Sequence, residues 1–150
     1  MVTLLDDLTR AMEEYLEIIF ELESEFGEAT VTAIAGKKGV RAPSVTHVLK
    51  RLSDSGFIFY EPYKAVQLTE EGLKIAKRLD RIHKTLKWFF TLIGIPSDVA
   101  DADACEFEHI AHDDTIEKLT EFVEWVKSTQ DPEWLERFRQ FQESGGKSGA

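Results

Sequence analysis

The residues best suited to chemistry lie together in one stretch, Ala104–His109. If this stretch is helical, Cys105, Glu108 and His109 stand at positions i, i+3 and i+4 and share one face. A thiolate, a carboxylate and an imidazole suit a first-row divalent metal between Fe(II) and Zn(II), whereas Mg²⁺ and Ca²⁺ prefer oxygen ligands. The same pattern also fits a small packed cysteine beside a surface glutamate and histidine. The spacing alone leaves both interpretations open.

Length and composition are those of a globular protein without a membrane anchor. The chain has 150 residues, enough for one ordinary domain or two small ones, and a single cysteine, which excludes an internal disulfide. No apolar run is long enough to span a bilayer, and the N-terminus carries acids where a signal peptide would carry bases. We therefore expect a cytoplasmic protein with no membrane partner.

Charge is distributed unevenly along the chain. Residues 30–90 contain 12 Lys and Arg against 5 Asp and Glu, a local net charge of +7, and the remaining 6 basic and 23 acidic residues carry -17. One section could therefore face a polyanion while the rest repels it. The alternative is a lysine-rich helix that is simply solvated.

Two short helices joined by a tight turn are predicted inside the basic section. Thr30 can cap a helix that runs to about Lys37, and Pro43 suits the first turn of the next helix, which ends at Ser55-Gly56. The second helix carries hydroxyls and bases at its start, which is typical of a helix-turn-helix whose second helix enters the major groove.

A β-hairpin is predicted directly after these helices. Residues 57–60 and 65–68 have strand character, and Glu61–Lys64 forms a turn between them. A hairpin in this place is a wing, and the combination predicts binding to double-stranded DNA. A helical hairpin with an unrelated β-ribbon, used for protein contacts, is the alternative. The candidate DNA-binding residues are Arg41, Lys50, Arg51 and Lys64 at phosphates, Ser44, Thr46 and His47 at base edges, and Pro43 at the start of the helix.

The rest of the chain is predicted to be helical. An amphipathic helix covers about 5–26, a long connector helix about 69–93, and further helices start at Asp113 and Pro132, while Ser97–Ala104 is read as an acidic approach to the cysteine helix. The aromatic residues of the C-terminal half exceed what one packed face can hide, which predicts a homodimer. The predicted fold is mainly α with a small β-wing. Its parts are a winged helix-turn-helix domain at 1–72, a helical metal-binding and dimerisation domain at 73–142, and a disordered tail at 143–150.

With a winged helix, a connector helix and the Cys105-x-x-Glu108-His109 stretch in this order, the chain resembles the diphtheria toxin repressor family of metal-activated transcriptional repressors. The motifs that carry the resemblance are Glu14-Tyr15-Leu16-Glu17, Arg41-Ala42-Pro43-Ser44-Val45-Thr46, Leu68-Thr69-x-x-Gly72, His83, and Ala104-Cys105-x-x-Glu108-His109. The resemblance implies a metal held between the first helix and later helices, and a homodimer that binds a palindromic operator when metal is bound. In length the chain looks like the manganese regulators, without the third domain of the longer members.

The resemblance also implies a set of metal ligands that mixes two types of family member. Glu14 stands where iron-responsive members have methionine and manganese-responsive members have aspartate, and Cys105 matches the iron type. Glu108 and His109 match both types, while Glu17 and His83 match additional ligands of the manganese type. Two departures, Lys87 and Asp101, replace ancillary ligands of the iron type, an acid and a histidine respectively.

The predicted cofactor is a divalent transition metal, with Fe(II) favoured and Mn(II) next, and with Co(II), Ni(II) or Zn(II) as substitutes in vitro. We expect a regulator rather than an enzyme, with no small organic substrate. Two other functions remain in view. One is a metal-independent winged-helix regulator whose acidic half only dimerises, and the other is a small metallohydrolase using Cys105, Glu108 and His109 around an activated water.

Overall fold

The computed structural model describes residues 8–129 and 133–146. Within these ranges it is mostly helical with one two-stranded hairpin, which confirms the predicted fold class. The elements in chain order are α1 Arg10–Phe26, α2 Val31–Lys38, α3 Ala42–Asp54, β1 Ile58–Phe59, β2 Gln67–Leu68, α4 Glu70–Leu92, α5 Ser97–Phe107, α6 Asp113–Ser128 and α7 Glu133–Glu143. The chain divides into two compact units between Arg81 and Ile82, inside α4.

Local signals in the first unit produce the predicted helix pair. The Thr30 hydroxyl accepts a hydrogen bond from the Ala33 N–H at 3.1 Å and so caps α2. Gly39 ends α2 in the left-handed conformation, with φ of 74°, and Pro43 lies in the first turn of α3. These two helices are the predicted helix-turn-helix.

The hairpin that follows is the predicted wing. Its strands are antiparallel, with Ile58 opposite Leu68, and the Val66 N–H donates to the Ala29 carbonyl at 2.7 Å. The wing joins α4 through Thr69, whose hydroxyl donates to the Gly56 carbonyl at 2.7 Å and accepts from the Gly72 N–H at 3.1 Å. The wing is thus attached to its neighbouring elements on both sides.

One apolar core holds the first unit together. It combines the buried stripe of α1 with residues of α2, α3, the wing and the start of α4. The side chains of Leu16, Ile19, Ile34 and Leu49 have no exposed surface, and Phe57 is buried at 2 %. Burial at this level stabilises by about 1.5–3 kcal/mol for each large side chain.

A second, smaller core lies in the second unit. Ile82 and Leu86 of α4 pack with Ala104 of α5 and Ile116 of α6. Phe90 meets Phe107 edge-on, with ring centroids 5.7 Å apart. This packing joins α4 to α5 and fixes which of their polar side chains face each other.

The predicted cysteine helix differs from the observed one. The stretch Ser97–Ala104, expected as an approach, is itself helical, because α5 begins at Ser97 and ends at Phe107. Glu108 is the residue that ends α5, and His109 lies in the turn before α6. Of the three residues predicted to share one helical face, only Cys105 lies within α5, while Glu108 keeps helical backbone angles at its end and His109 lies in the turn. Acidic residues near the negative C-terminal end of α5, with no base in its last turn, disfavour a longer helix.

Three further differences concern boundaries. α1 begins at Arg10 after a Thr9 cap, and residues 5–7 of the predicted first helix lie outside the described residues. The predicted domain boundary follows residue 72, near the start of the connector helix α4. The observed division follows residue 81, inside α4. In the predicted disordered tail, Glu143 ends α7 and residues 144–146 form a hydrogen-bonded turn, while 147–150 lie outside the described residues.

None of the helices in the described part of the chain is long and apolar enough to cross a membrane.

Candidate metal centre

His83 is the centre of a polar cluster in the second unit. It projects from α4, and its side chain is 18 % exposed. Its ring nitrogen Nδ1 lies 2.9 Å from Glu108 Oε2, and its other ring nitrogen Nε2 lies 3.0 Å from Asp101 Oδ1. Each imidazole nitrogen thus has its own carboxylate.

Helix α5 supplies the thiol and one of these carboxylates. Asp101 and Cys105 are four residues apart on α5 and so lie on the same face of the helix. The Cys105 Sγ atom lies 3.7 Å from His83 Nδ1, and the cysteine is exposed. His83, Asp101 and Cys105 each offer a ligand atom within 4.8 Å of the others.

Glu108 connects this cluster to His109. Its side chain is 1 % exposed, and its second oxygen Oε1 lies 3.3 Å from His109 Nε2. The backbone N–H of Glu108 donates to the Ala104 carbonyl at 3.0 Å, which holds the residue at the end of α5. A carboxylate this deeply buried needs such partners, because an unpaired buried charge is strongly unfavourable.

Neighbouring charges shift the pKa values of two members of the cluster. The hydrogen bond with Glu108 raises the pKa of His83 above its ordinary value, against the opposing effect of burial, and Asp101 adds to the rise. The Lys87 ammonium, 3.1 Å from Asp101 Oδ1, and then His83 lower the pKa of Asp101. Asp101 is therefore an ionised carboxylate between two basic groups.

The donor set fits a first-row divalent metal. Imidazole nitrogen, thiolate sulfur and carboxylate oxygen together match the ligand preferences of Fe(II) to Zn(II). A centre for Mg²⁺ or Ca²⁺ would present oxygen atoms alone. The chemistry of the cluster thus agrees with the kind of metal that the residues of 104–109 suggest.

Four of the six predicted metal ligands belong to one unit. His83, Cys105, Glu108 and His109 lie in the second unit. Glu14 and Glu17 lie on α1 in the first unit, where Glu14 forms ion pairs with Lys38 and Arg10.

Asp101 belongs to the cluster, although the sequence reasoning noted it only as a departure from the family pattern. The spacing of four between Asp101 and Cys105 is the signal that would have found it, given a helix starting at Ser97.

The predicted DNA-binding residues lie on α3 and at the tip of the wing. Arg41 precedes α3, and Thr46, half-buried, donates its hydroxyl hydrogen to the Pro43 carbonyl at 3.0 Å. Lys64 is exposed in the wing turn beside the fully exposed Tyr63. The other predicted contacts, all exposed on α3, are Pro43, Ser44, His47, Lys50 and Arg51.

Two family models match most of the chain. The N-terminal DNA-binding domain of iron-dependent repressors matches residues 7–66, and their metal-binding and dimerisation domain matches residues 69–136. Fold, site and matched families define a class of metal-dependent, dimeric, DNA-binding transcriptional regulators, which are not enzymes. The chain belongs to the iron-dependent repressor family, the diphtheria toxin repressor family that its motifs resemble.

Individual relatives agree with this assignment. The regulator MntR of Shouchella clausii is 35% identical over 122 residues, which cover 81% of this chain and 85% of the relative. An uncharacterised HTH-type transcriptional regulator of Methanocaldococcus jannaschii is 33% identical over 122 residues, covering 80% of this chain and 98% of the relative.

Solved structures show the same fold in longer chains. The manganese regulator SloR superimposes with a TM-score of 0.66 and 27% identity over 76% of this chain and 54% of its own. IdeR of T. acidophilum superimposes with a TM-score of 0.63 and 30% identity, over 73% of this chain and 52% of its own. The chain therefore spans about half the length of these two solved structures.

Proposed function

We propose that this chain is a homodimeric repressor that binds a palindromic operator when a divalent transition metal is bound. The observation that supports the proposal is the arrangement around the His83 imidazole. The thiol of Cys105 and the carboxylates of Asp101 and Glu108 surround it, inside the region that matches a metal-binding domain. Because its partner is operator DNA, we propose that it acts in the cytoplasm.

The proposed ligands come from two sources. His83, Cys105, Glu108 and His109 are proposed because they cluster in the second unit. Glu14 and Glu17 are proposed from the family resemblance alone. The bound metal would supply a positive centre that draws these anionic and neutral donors into one arrangement. The metal would switch DNA binding on because it binds one arrangement of the chain more tightly than another.

We propose Fe(II) as the cognate metal, with Mn(II) next. The Cys105 thiolate favours the softer ion, whereas carboxylates favour the harder one. Both metals occur among the matched proteins, since the family models are of iron-dependent repressors and SloR is a manganese regulator. Of the proposed ligands only Cys105 is a soft donor, so its contribution to affinity decides between the two ions.

The proposed DNA contacts follow from exposure and charge on α3 and the wing. Arg41, Lys50 and Arg51 are exposed bases that would contact phosphates, and Lys64 would do so from the wing. Pro43 would start α3 close to the DNA backbone. Ser44, Thr46 and His47, near the start of α3, would read base edges in the major groove.

The proposed dimer surface is the aromatic face of the second unit. Trp125 is 56 % exposed and stacks on Trp134 with ring centroids 6.3 Å apart, and Phe141 is 45 % exposed. Exposed aromatic residues of this size typically mark interfaces. Sedimentation of a Trp125→Glu variant would test the surface, with a shift towards monomer as the expected result.

The function is tested by measuring DNA affinity with controlled metal content. Chelator-stripped protein is titrated anaerobically, at fixed salt, against a palindromic operator pool with no metal or with Fe(II), Mn(II), Co(II) or Zn(II). We expect binding only with metal, and Fe(II) as the most effective ion. Cys105→Ser should reduce the Fe(II) response more than the Mn(II) response, and Glu108→Gln should reduce both.

Two results would contradict the proposal. Equal DNA affinity with and without metal, unchanged in the Cys105 and Glu108 variants, would leave the metal-independent winged-helix regulator as the function. An Mn(II) response equal to the Fe(II) response would keep the metal switch and overturn Fe(II) as the cognate metal.

A further inference from the structure

The two carboxylates that contact His83 stand in different environments. Glu108, on the Nδ1 side, is buried to 1 % side-chain exposure, whereas Asp101, on the Nε2 side, is 49 % exposed. A neutral imidazole carries one N–H and one free lone pair, so one nitrogen can bind a metal while the other donates to a carboxylate. The groups around the two nitrogens indicate which nitrogen binds the metal and which donates to a carboxylate.

The Nδ1 side carries two of the other predicted ligands, Glu108 and Cys105. Glu108 Oε2 lies 2.9 Å from Nδ1, and Cys105 Sγ lies 3.7 Å from it. A metal held by Nδ1 and Glu108 would take the place of the hydrogen between them, so the buried carboxylate would keep a positive partner.

On the Nε2 side, the Lys87 ammonium already contacts the carboxylate that a metal would need. Asp101 Oδ1 accepts from His83 Nε2 at 3.0 Å and, on the same oxygen, from the Lys87 ammonium at 3.1 Å. A divalent ion on that oxygen would lie beside a like charge, and the repulsion disfavours Asp101 as a direct ligand.

We propose that Asp101 is a positioning residue of the metal centre: anchored by Lys87, it accepts the Nε2–H of His83 and so directs Nδ1 towards Cys105 and Glu108. The inference rests on the proposed function. A carboxylate in this place fixes the tautomer and orientation of the imidazole and increases its basicity as a ligand. No direct bond from Asp101 to the metal is involved.

The test compares Co(II) binding in wild-type protein with two Asp101 variants, an Asp103 control and a Cys105→Ser reference, under anaerobic conditions. Absorption of the Co(II)–thiolate bond reports Cys105, and the visible bands report the whole ligand set. Asp101→Ala should bind Co(II) about 10–100-fold more weakly. Asp101→Asn, whose amide oxygen can still accept the Nε2–H, should lose less than about tenfold, with the same bands as wild type.

The control is Asp103→Ala, which makes the same charge change on α5. Asp103 lies two residues from Asp101, so it is about 200° round the helix. Its Co(II) affinity should equal that of wild type. Circular dichroism of each metal-free variant checks folding, and if Asp101→Ala does not fold, the isosteric Asp101→Asn and the next measurement decide.

Nitrogen NMR of Zn(II)-loaded wild-type protein gives an answer that needs no variant. The inference predicts that His83 has a metal-bound Nδ1 and a protonated Nε2. Zinc bound to Nε2 would overturn it. So would an Asp101→Asn variant whose Co(II) bands change as they do when Cys105→Ser removes the thiolate, because Asp101 would then be a ligand.

The outcomes separate this inference from the proposed function. If wild type binds Co(II) with a thiolate band and Asp101→Ala binds equally well, the positioning role is wrong and the metal switch stands. If wild type binds no divalent metal at all, both are overturned.

Discussion

At the residue scale, the metal centre is a row of alternating basic and acidic groups. Lys87, Asp101, His83, Glu108 and His109 follow each other, each within about one hydrogen-bond length of the next. Each acidic side chain in the row therefore contacts a basic one. These contacts offset the free-energy cost of burying Glu108 when no metal is bound. Removing one partner should be unfavourable even in the metal-free protein.

Glu108→Gln tests this at the buried end of the row. We expect the free energy of unfolding of metal-free protein to fall by about 1–3 kcal/mol, because hydrogen bonds to a charged, buried group are lost. Tryptophan fluorescence during urea unfolding is the measurement, since Trp88, Trp125 and Trp134 all lie after residue 81 and report the second unit.

Glu117→Gln is the control, because Glu117 is an exposed glutamate on α6. It should change the free energy of unfolding by no more than about 0.5 kcal/mol. Equal losses in the Glu108 and Glu117 variants would show that the buried pairing contributes nothing to stability.

At the element scale, one glycine decides how the wing meets α4. A Cβ atom on Gly72 would lie 2.0 Å from the carbonyl oxygen of Phe57, and that carbonyl also accepts the Thr69 N–H at 3.0 Å. The wing and the first turn of α4 can therefore approach this closely only with glycine at position 72. This explains the glycine of the Leu68-Thr69-x-x-Gly72 motif.

Gly72→Ala should lower the free energy of unfolding by about 1–3 kcal/mol, because the backbone of β1 or α4 must move. Gly36→Ala is the matched control, since Gly36 lies inside α2 with nothing within 4 Å of the added carbon. That change should stabilise by about 0.5–1 kcal/mol through helix propensity. Urea unfolding followed by circular dichroism measures both, and a Gly72 variant as stable as wild type would contradict the close approach.

The recognition helix α3 gives a second prediction at this scale. Arg41→Gln and Lys50→Gln should each reduce the slope of log affinity against log salt by about 0.9, and weaken binding equally for all DNA sequences. Fluorescence anisotropy over a salt series measures the slopes of log affinity against log salt. His47→Ala should instead change the preferred base. Lys118→Gln, an exposed lysine on α6, is the control, and a slope change as large there would remove the evidence for phosphate contacts.

At the scale of the whole molecule, the elements proposed to contact DNA and the His83 cluster lie in different units. The first carries the helix-turn-helix and wing, and the second carries the His83 cluster and the exposed aromatic residues. The connector helix α4 runs without a break from Glu70 to Leu92 and belongs to both.

Removing metal should destabilise the second unit. At a free metal concentration of one hundred times the dissociation constant, binding adds about 2.7 kcal/mol to the free energy of unfolding. Unfolding followed by tryptophan fluorescence, with and without chelator, measures this difference. Cys105→Ser should reduce the gain from Fe(II), while identical unfolding of wild type in both conditions would contradict metal binding to the folded protein.

The sequence by itself determined the features that depend on neighbours a few residues apart. Thr30 caps α2 and Pro43 starts α3, while the aromatic and β-branched residues after Gly56 produce the first strand of the wing. Capping, turn geometry and side-chain periodicity are local, so these elements and the family could be predicted without a structure. Cys105 and Glu108 were candidate ligands from their residue types and spacing, and His83 became one through the family resemblance.

Only the tertiary structure decided how the centre is assembled. Ser97–Ala104 alternates small and acidic residues, so its helix shows no clear apolar stripe, and its start was missed. Packing of Ala104 against Ile82 and Leu86 sets α5 beside α4. That packing brings Asp101 to His83, 18 residues earlier in the chain, and to Lys87. Periodicity reports only which face of a helix a residue occupies, and the partner across the helix pair is determined by packing.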